Sequence, residues 1–271
     1  MSTGAHRLID RIERYLDAVP RSRADAETVG PFTLFRSRLA HPFYARPSLG
    51  WASGYATAVD VKTLRARQRE LGLPETIEWV AEVAPDLSTA CRDAGLRVSE
   101  HPLLVHHDPL AVPVPDGIRI RRVDDANDPV IPAAQVVARL AFAAHGADVG
   151  DAGPPERDAA VKQRPAEASD DLRELIRDGR SVFVVAEDEH GVLCSGGHNP
   201  VGDVTEIVGV GTIPSARRRG LGAAVTDTLV ADAIRRGIEV IFLSADDDDV
   251  ARVYERVGFR RIGTACAAAL E

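Results

Sequence analysis

The residues with the clearest chemical potential lie between a strand and a helix in the second half of the chain. There the sequence runs Val208-Gly-Val-Gly-Thr-Ile-Pro-Ser-Ala-Arg-Arg-Arg-Gly-Leu-Gly222, and Leu221 opens a helical pattern. The start of a helix exposes unpaired N–H groups and the positive end of the helix dipole. Glycine lets a bulky anion approach this backbone, and the three adjacent arginines add charged donors. The segment Arg217–Gly222 therefore predicts an anion site suited to a pyrophosphate.

Two other interpretations of this segment stay open. It could be an ordinary glycine-rich turn with surface arginines. It could also be a dinucleotide-binding loop, since Gly209-x-Gly211 begins the pattern G-x-G-x-x-G. However, Pro214 stands at the third glycine position, and no following unit supplies the acid that would bind a ribose.

The loop resembles a motif of the GNAT superfamily of N-acetyltransferases, which carry Arg/Gln-x-x-Gly-x-Gly/Ala between a strand and a helix. A second family motif, Tyr-x-x-x-Gly-Phe, is present as Tyr254-Glu-Arg-Val-Gly-Phe259. Both motifs occur in the family's order, with a helix and a strand between them, and the resemblance covers residues 118–265. It implies an acyl-CoA-dependent N-acetyltransferase that uses acetyl-CoA and releases CoA.

The resemblance also implies which residues bind the cofactor. In the family, the strand before the loop separates from its neighbour, and its backbone pairs with the pantetheine arm. The amide of Val210 is the candidate for polarising the thioester carbonyl. Gly209 and Gly211 are consistent with a strand that bends at this point. The implied cofactor-binding residues are Val208, Val210, Gly211, Thr212, Arg217, Arg218, Arg219, Gly220, Leu221 and Gly222.

Tyr254 occupies the family's position for the acid that protonates the thiolate leaving group. The alternative is a packing role, because Val250, Val253, Tyr254 and Val257 form one apolar stripe of a short helix. A tyrosine can pack its ring and still place its hydroxyl in a polar position.

Glu206, on the strand before the loop, is the candidate general base for the attacking amine, directly or through water. The alternative is an acid on the solvent-facing side of that strand. Ser244, at the end of the next strand, could order the water. His198 and Glu187 are weaker candidates, and we expect both to lie at the surface.

Four consecutive acids, Asp246–Asp249, could attract a cation. The simpler interpretation is that they cap and stabilise the start of the helix that follows, and we predict no metal site. Their spacing matches no calcium loop. The family often has Asn where this chain has Asp248, which puts a secondary cofactor contact in doubt.

Apolar periodicity along the chain predicts a mixed α/β architecture. The resemblance implies the acyl-CoA N-acyltransferase fold, an α/β (α+β) protein whose mixed central sheet has helices on both faces. The expected helices cover residues 7–19, where Pro20 ends the helix, and 61–71, 86–93, 131–144, 170–178, 221–236 and 250–257. The expected strands cover residues 32–35, the stretch around 44, and 77–80, 96–105, 118–123, 181–186, 192–197, 206–212, 238–243 and 259–265.

The first half of the chain is expected to form a second, smaller α/β domain. The proline-rich segment His106–Gly117 is the candidate linker, which gives domains at residues 1–110 and 111–271. Residues 57–105 repeat the outline of the C-terminal end, so the first domain is interpreted as a degenerate acetyltransferase-like copy. It lacks the glycine loop, so we expect it to bind no cofactor and to wall the acceptor pocket or form a dimer surface. The alternative is an unrelated accessory domain.

Composition limits the functional classes. The net charge of −8 argues against a nucleic-acid-binding protein. No apolar run approaches the ~18 residues of a membrane span. The three scattered cysteines, Cys91, Cys194 and Cys266, suit a reducing compartment, so we expect a cytoplasmic protein.

The sequence thus predicts an enzyme that acetylates a small-molecule or peptide amine, with a homodimer left open. The alternatives are a non-catalytic acyl-CoA-binding regulatory protein and a protein-interaction module.

Overall fold

The computed structural model describes residues 3–38, 43–50, 56–108, 110–144, 146 and 148–270. The helices in these ranges are α1 (Thr3–Arg21), α2 (Ala58–Glu70), α3 (Leu87–Asp93), α4 (Ile131–Ala143), α5 (Pro154–Lys162), α6 (Asp170–Arg177), α7 (Leu221–Arg235) and α8 (Asp248–Glu255). The strands are β1 (Ala24–Val29), β2 (Phe32–Ser37), β3 (Ala45–Pro47), β4 (Ile77–Val80), β5 (Arg97–His106), β6 (Arg119–Arg122), β7 (Val182–Asp188), β8 (Gly191–Val201), β9 (Val204–Thr212), β10 (Val240–Ser244) and β11 (Phe259–Ala269).

The chain forms two compact units. The N-terminal unit contains residues 1–104, 244–247 and 261–271, and the C-terminal unit contains residues 105–243 and 248–260. The last strand of the chain therefore belongs mostly to the N-terminal unit. The sequence-based domain boundary at residue 110 stays a prediction.

The N-terminal unit is built on a mixed sheet with the strand order β1-β2-β3-β4-β11-β5. β1, β2 and β3 form an antiparallel meander, β3 pairs with β4 in parallel, and β4 pairs with β11 antiparallel. The parallel join requires a crossover connection, which α2 supplies between β3 and β4.

Both faces of this sheet are covered. Phe32 and Leu34 of β2 enter a core cluster with residues of α2 and α3. Because side chains alternate along a strand, Phe35 points to the opposite face, where Arg21 of α1 lies over its ring at 5.5 Å.

The prediction that Pro20 ends the first helix is wrong, because α1 continues through Pro20 to Arg21. A proline in the last helical turn removes only the bond to the carbonyl four residues earlier. That carbonyl, of Leu16, accepts instead from the Tyr44 hydroxyl at 3.5 Å.

The C-terminal unit has the strand order β10-β9-β8-β7-β6. Its pairs are antiparallel except for β9 and β10, which run in parallel around the crossover helix α7. Ser195 of β8 donates to a carbonyl of α4, whereas a Cβ at its neighbour Gly196 would meet Leu229 of α7. Helices therefore lie on both faces, and the predicted fold class is confirmed.

Two elements were missed by the sequence analysis. β1 has the sequence ADAETV, which lacks apolar alternation. α5 begins with two prolines and carries little apolar periodicity. α5 is held instead by Arg157, whose buried guanidinium donates to the carbonyls of Val192 and His190 at 2.6 and 2.5 Å. In the part of the chain that is described, no helix is long and apolar enough to cross a bilayer.

Candidate functional site

The candidate site begins where β9 and β10 separate. Their parallel pairing runs from Val204 opposite Val240 to Glu206 opposite Phe242, and β9 continues beyond it to Thr212. The carboxyl-terminal half of β9 therefore has β8 on one side but no β10 partner on the other. Such an opening at the carboxyl ends of parallel strands is where open α/β sheets bind ligands.

A β-bulge bends β9 inside this opening. Ser195 lies opposite Gly211 and Gly197 lies opposite Val208, so two residues of β9, Gly209 and Val210, face a single residue of β8. Gly209 has φ +64°, the left-handed conformation that the first residue of such a bulge adopts. The predicted bend in this strand is confirmed, and it redirects the backbone around Val210.

The loop after β9 ends at an open helix start. Gly220, with φ +80°, is the N-cap of α7, and its carbonyl accepts from Ala224. Gly220 has no side chain to cap the helix, so the first amides of α7 are left for another acceptor. Arg218, Arg219 and Gly220 are all exposed around this helix start.

Arg217, the first residue of the predicted loop, binds backbone carbonyls. Its guanidinium donates to the carbonyls of Ala141, Ala144 and Asp148, at 2.8, 2.8 and 3.0 Å. A charged donor shared among carbonyls at the end of α4 fixes the loop in place. The structure therefore gives Arg217 a role in positioning the loop.

The first turn of α7 lies beside the end of β9. A Cβ at Gly222 would come 3.8 Å from Thr212 Oγ1 and 3.9 Å from Val210 Cγ1. On the other face, a Cβ at Gly211 would come 2.8 Å from Ala141 Cβ of α4. The predicted strand and loop residues are thus brought together, with Leu221 buried beneath them.

Tyr254 of α8 is packed within this unit. Its ring meets Phe259 edge to face at 6.0 Å, and Phe259 in turn meets His106 at 5.2 Å. Burial raises the pKa of Tyr254 above its usual range, and the nearby Cys194 thiol adds to the shift. The hydroxyl has no hydrogen-bond partner among the described residues, so it is a protonated donor available to another group.

Cys194 was not selected as a site residue by the sequence analysis. It lies opposite Thr212 in the β8–β9 pair, is fully buried, and has its pKa raised by burial to about 12. Its thiol therefore stays protonated at neutral pH. Cys194 thus lies across from the end of β9, and its thiol also contributes to the electrostatic surroundings of Tyr254.

Glu206 lies at the last paired position of β9, where the strand leaves β10, and its side chain is partly buried. This is the mouth of the opening. Ser244 is exposed at the end of β10 and groups with the N-terminal unit.

The expectation that His198 lies at the surface is wrong. His198 is fully buried, with Nδ1 3.0 Å from Thr205 Oγ1 and Nε2 3.3 Å from Asp232 Oδ2. Because the carboxylate only accepts, Nε2 carries the proton and Nδ1 accepts from the threonine hydroxyl. Burial lowers the pKa of His198.

Asp232 is the centre of this cluster and was missed by the sequence analysis. Its Oδ1 accepts from Arg122 at 2.9 Å and Arg235 at 3.2 Å, and its Oδ2 accepts from Arg236 at 2.5 Å and from His198. Burial alone would raise the pKa of Asp232, but hydrogen bonds from Arg236, His198 and Arg122 lower it to about 2. The available signal was an acid three residues after Leu229, on the buried face of α7.

Glu187 is also not a free surface residue. It is partly buried and accepts from Arg121 Nε at 2.9 Å. Asp248 and Asp249 stand in the first turn of α8, which agrees with their interpretation as helix-stabilising acids. Among the described residues, no group of three or more side chains is arranged to hold a metal ion.

Comparisons with known proteins agree with this geometry. The model of the Acetyltransferase (GNAT) family matches residues 154–259, which include β9, the loop, α7 and Tyr254. A search of the curated proteins gave no match.

Solved structures resemble the chain over nearly its whole length. A GCN5-related N-acetyltransferase from Kribbella flavida has a TM-score of 0.69 at 22% identity, covering 96% of this chain and 95% of its own. An acetyltransferase assigned to the GNAT family, from Novosphingobium aromaticivorans, has a TM-score of 0.52 at 21% identity, covering 92% and 91%. A functionally unknown conserved protein from Staphylococcus epidermidis has a TM-score of 0.53 at 12% identity, covering 92% and 94%. At these identities the likeness shows a shared fold.

Proposed function

Residues 154–259 belong to the GNAT acetyltransferase family, and on that premise we propose that the protein is an acetyl-CoA-dependent N-acetyltransferase acting on a primary amine. The observation that carries the proposal is the bulged, unpaired end of β9 beside the uncapped start of α7. This arrangement offers a backbone edge and an anion site within one opening.

The residues around the opening suit the parts of acetyl-CoA. The amides at the start of α7, with Arg218 and Arg219, would hold the diphosphate. The backbone of Val208, Val210 and Thr212 would pair with the extended pantetheine arm as an added strand does. When bound, acetyl-CoA supplies an activated thioester, which a neutral amine can attack directly.

The protein's own groups then handle charge and protons. The amide of Val210 would donate to the oxygen on which negative charge develops, which is typically a large contribution to rate. Glu206, at the mouth of the opening, would accept the proton of the amine, directly or through water. Tyr254 Oη would donate to the departing sulfur.

The raised pKa of Tyr254 sharpens its role. A free thiol has a pKa of about 8.5, so full proton transfer from this tyrosine to a thiolate is unfavourable. Tyr254 therefore stabilises the sulfur chiefly as a hydrogen-bond donor, and it remains a donor across the neutral and mildly basic range.

Calorimetry with CoA and acetyl-CoA, followed by thiol release with a panel of primary amines, tests the proposal. The matched pair is Arg218→Ala, at the loop, and Arg177→Ala, an exposed arginine on α6. We expect CoA to bind, Arg218→Ala to weaken it several-fold, and Arg177→Ala to leave it unchanged. Binding without thiol release from any amine would favour a regulatory protein, and absence of binding would refute the proposal.

A further inference from the structure

A segment of the C-terminal unit runs between the two motifs of the candidate site. It consists of residues 107–108 and 110–115, hereafter the strap, and the sequence analysis interpreted it as part of a linker. The strap follows β5 and precedes β6, and these residues form neither a helix nor a strand. They group with the C-terminal unit, so the strap is a part of the unit that carries the candidate site.

One end of the strap is bonded to the turn after α8, the helix that carries Tyr254. The amides of His107 and Asp108 donate to the carbonyl of Gly258 at 2.9 and 3.3 Å. A Cβ at Gly258 would collide with the Asp108 carbonyl oxygen, so this close approach of two backbones requires glycine. Asp108 also forms an ion pair with Arg260. This end of the strap is therefore fixed close in sequence to Tyr254.

The other end of the strap contacts the start of α7. Pro115 Cγ lies 3.9 Å from the position that a Cβ of Gly220 would occupy. The Pro115 carbonyl accepts from the Ile118 amide at 3.1 Å, and this turn leads into β6. Gly220 is the N-cap of α7, where the diphosphate of CoA is proposed to bind. The strap therefore reaches the diphosphate end of the proposed site.

The ends of the strap match the ends of the cofactor arm in the proposed site. In that site the sulfur of CoA lies at Tyr254 and the diphosphate lies at Gly220. The pantetheine arm of CoA joins the sulfur to the diphosphate, so the arm and the strap connect the same two places. A protein segment with this course can serve as a wall for the arm.

The side chains of the strap suit an apolar part of the cofactor. Leu110 is 45% exposed and Val114 is 52% exposed, and Val114 adjoins Pro115 at the diphosphate end. Pro113 and Pro115 have fixed φ angles and no N–H group, so this backbone is stiff and poor in donors. The pantetheine arm carries a dimethyl group next to its diphosphate. An apolar side chain on a stiff backbone matches that group better than it matches a phosphate.

We propose that the strap forms one wall of the acetyl-CoA site, where Val114 contacts the dimethyl group of the pantetheine arm. The inference rests on the proposed function and adds a cofactor contact from a segment outside both motifs. Binding would remove apolar surface of Val114 from water, which favours the complex. The ADP part of CoA lies beyond the diphosphate and does not make this contact.

Selective alkylation tests the contact. The three native cysteines are buried, so iodoacetamide should modify a cysteine that is introduced at an exposed position. In Val114→Cys, desulfo-CoA at ten times its Kd should slow alkylation about tenfold, because only the unbound chain reacts. Desulfo-CoA has no thiol of its own, and ADP, which lacks the arm, should leave the rate unchanged. The control is Val201→Cys, at an exposed end of β8, which should react at one rate in all conditions.

A second variant measures the contribution of the contact to affinity. Val114→Ser shortens the apolar side chain and should weaken desulfo-CoA binding about threefold to tenfold while leaving ADP binding unchanged. Val201→Ser, the matched change at the control position, should bind both ligands as the wild type does. Calorimetry measures all of these affinities.

The outcomes separate this inference from the function on which it rests. If the wild type bound neither CoA nor desulfo-CoA, both would be refuted. If the wild type bound desulfo-CoA but Val114→Cys were alkylated at an unchanged rate, the strap contact alone would be refuted. Equal protection of Val114→Cys by ADP would also overturn the inference, because the contact would then lie at the nucleotide.

Discussion

The two units repeat one order of elements. Each has a three-stranded antiparallel meander, β1–β3 or β7–β9, then a helix, α2 or α7, and then a strand parallel to the third. Each continues with a short helix and a left-handed glycine, Gly95 at φ +83° or Gly258 at φ +93°, before the next strand. The shared order supports the proposal that the N-terminal unit is a diverged copy of the acetyltransferase-like unit.

The two crossover helices begin differently. α2 starts with a capping box, in which Thr57 Oγ1 accepts from the Asp60 amide and Asp60 accepts from the Thr57 amide at 2.8 Å. Its first turn is thus already occupied by a carboxylate, which repels phosphate. α7 starts at Gly220 with exposed arginines beside it. The same topology therefore leaves the helix start open in α7 and closed by a carboxylate in α2.

The two buried carboxylates also differ. Both oxygens of Asp232 in the C-terminal unit are saturated by arginines and His198, whereas Glu13 in the N-terminal unit leaves Oε1 without a donor. A carboxylate with both oxygens hydrogen-bonded is held in place by its donors, whereas a buried oxygen without a donor lowers the stability of the fold. A few residues thus give the helix starts and the buried carboxylates of the two units different surroundings.

The largest effect, on CoA affinity, should come from placing in the first turn of α7 the carboxylate that α2 has there. Ala223 holds the position in α7 that Asp60 holds in α2, so Ala223→Asp places a carboxylate where the diphosphate would bind. We expect CoA affinity to fall on the order of 10³-fold, about 4 kcal/mol, through charge repulsion at short range. Calorimetry at low and high salt measures the loss, which should shrink as salt rises.

Ala223→Asn is the control, since it has nearly the same size without the charge. It should bind CoA within a few-fold of the wild type. Equal losses in the two variants would show that the helix start excludes bulk rather than attracting an anion.

The next effect concerns the stability contributed by the two carboxylates. In Asp232→Asn, either orientation of the amide turns its NH2 group toward existing donors, so we expect a loss of about 3 kcal/mol in the free energy of unfolding. Glu13→Gln can turn its NH2 group toward the side that lacks a donor, so its loss should be roughly 1 kcal/mol. Urea unfolding of the full chain compares them, and equal losses would contradict the difference in saturation.

The third prediction compares the effects on turnover of matched residues in the two short helices, α3 and α8. Cys91 lies four residues before Gly95, as Tyr254 lies four residues before Gly258, but Cys91 is buried in an apolar cluster. Tyr254→Phe removes the donor to the sulfur and should lower turnover by at most on the order of 10²-fold. Because the pKa of Tyr254 is raised, the wild type should show no loss of activity from tyrosine ionisation below about pH 10.

Cys91→Ala is the matched change in the N-terminal unit, and it should leave turnover unchanged while lowering stability through a buried cavity. Thiol release measured across pH tests both variants. Undiminished turnover in Tyr254→Phe at every pH would remove the tyrosine from the mechanism.

Much of this arrangement follows from local sequence, and the rest does not. The strand, loop and helix around Gly209 and Gly220 were predictable because glycine, proline and apolar periodicity act locally. The saturation of Asp232 was not, because Arg122 and His198 reach it from strands distant in sequence. The unused oxygen of Glu13 was equally hidden, since a missing bond depends on every neighbour in the packed unit.

The smallest effect is on how stability depends on pH. Of the two buried carboxylates, Asp232 is hydrogen-bonded to a histidine, His198, whereas Glu13 is bonded to an arginine. Burial lowers the pKa of His198 in the folded chain. Below about pH 6.5 this histidine is therefore protonated in the unfolded chain to a greater extent than in the folded chain. Stability should therefore fall as pH drops from 7 toward 5, by at most about 1.4 kcal/mol per pH unit from this group. His198→Gln keeps a donor for Asp232 but cannot titrate, so urea unfolding at pH 7, 6 and 5 should show a flatter slope. The control is His190→Gln, at an exposed turn of the same hairpin, which should keep the wild-type slope of unfolding free energy against pH. If His198→Gln also kept the wild-type slope, His198 would not be the group responsible for it.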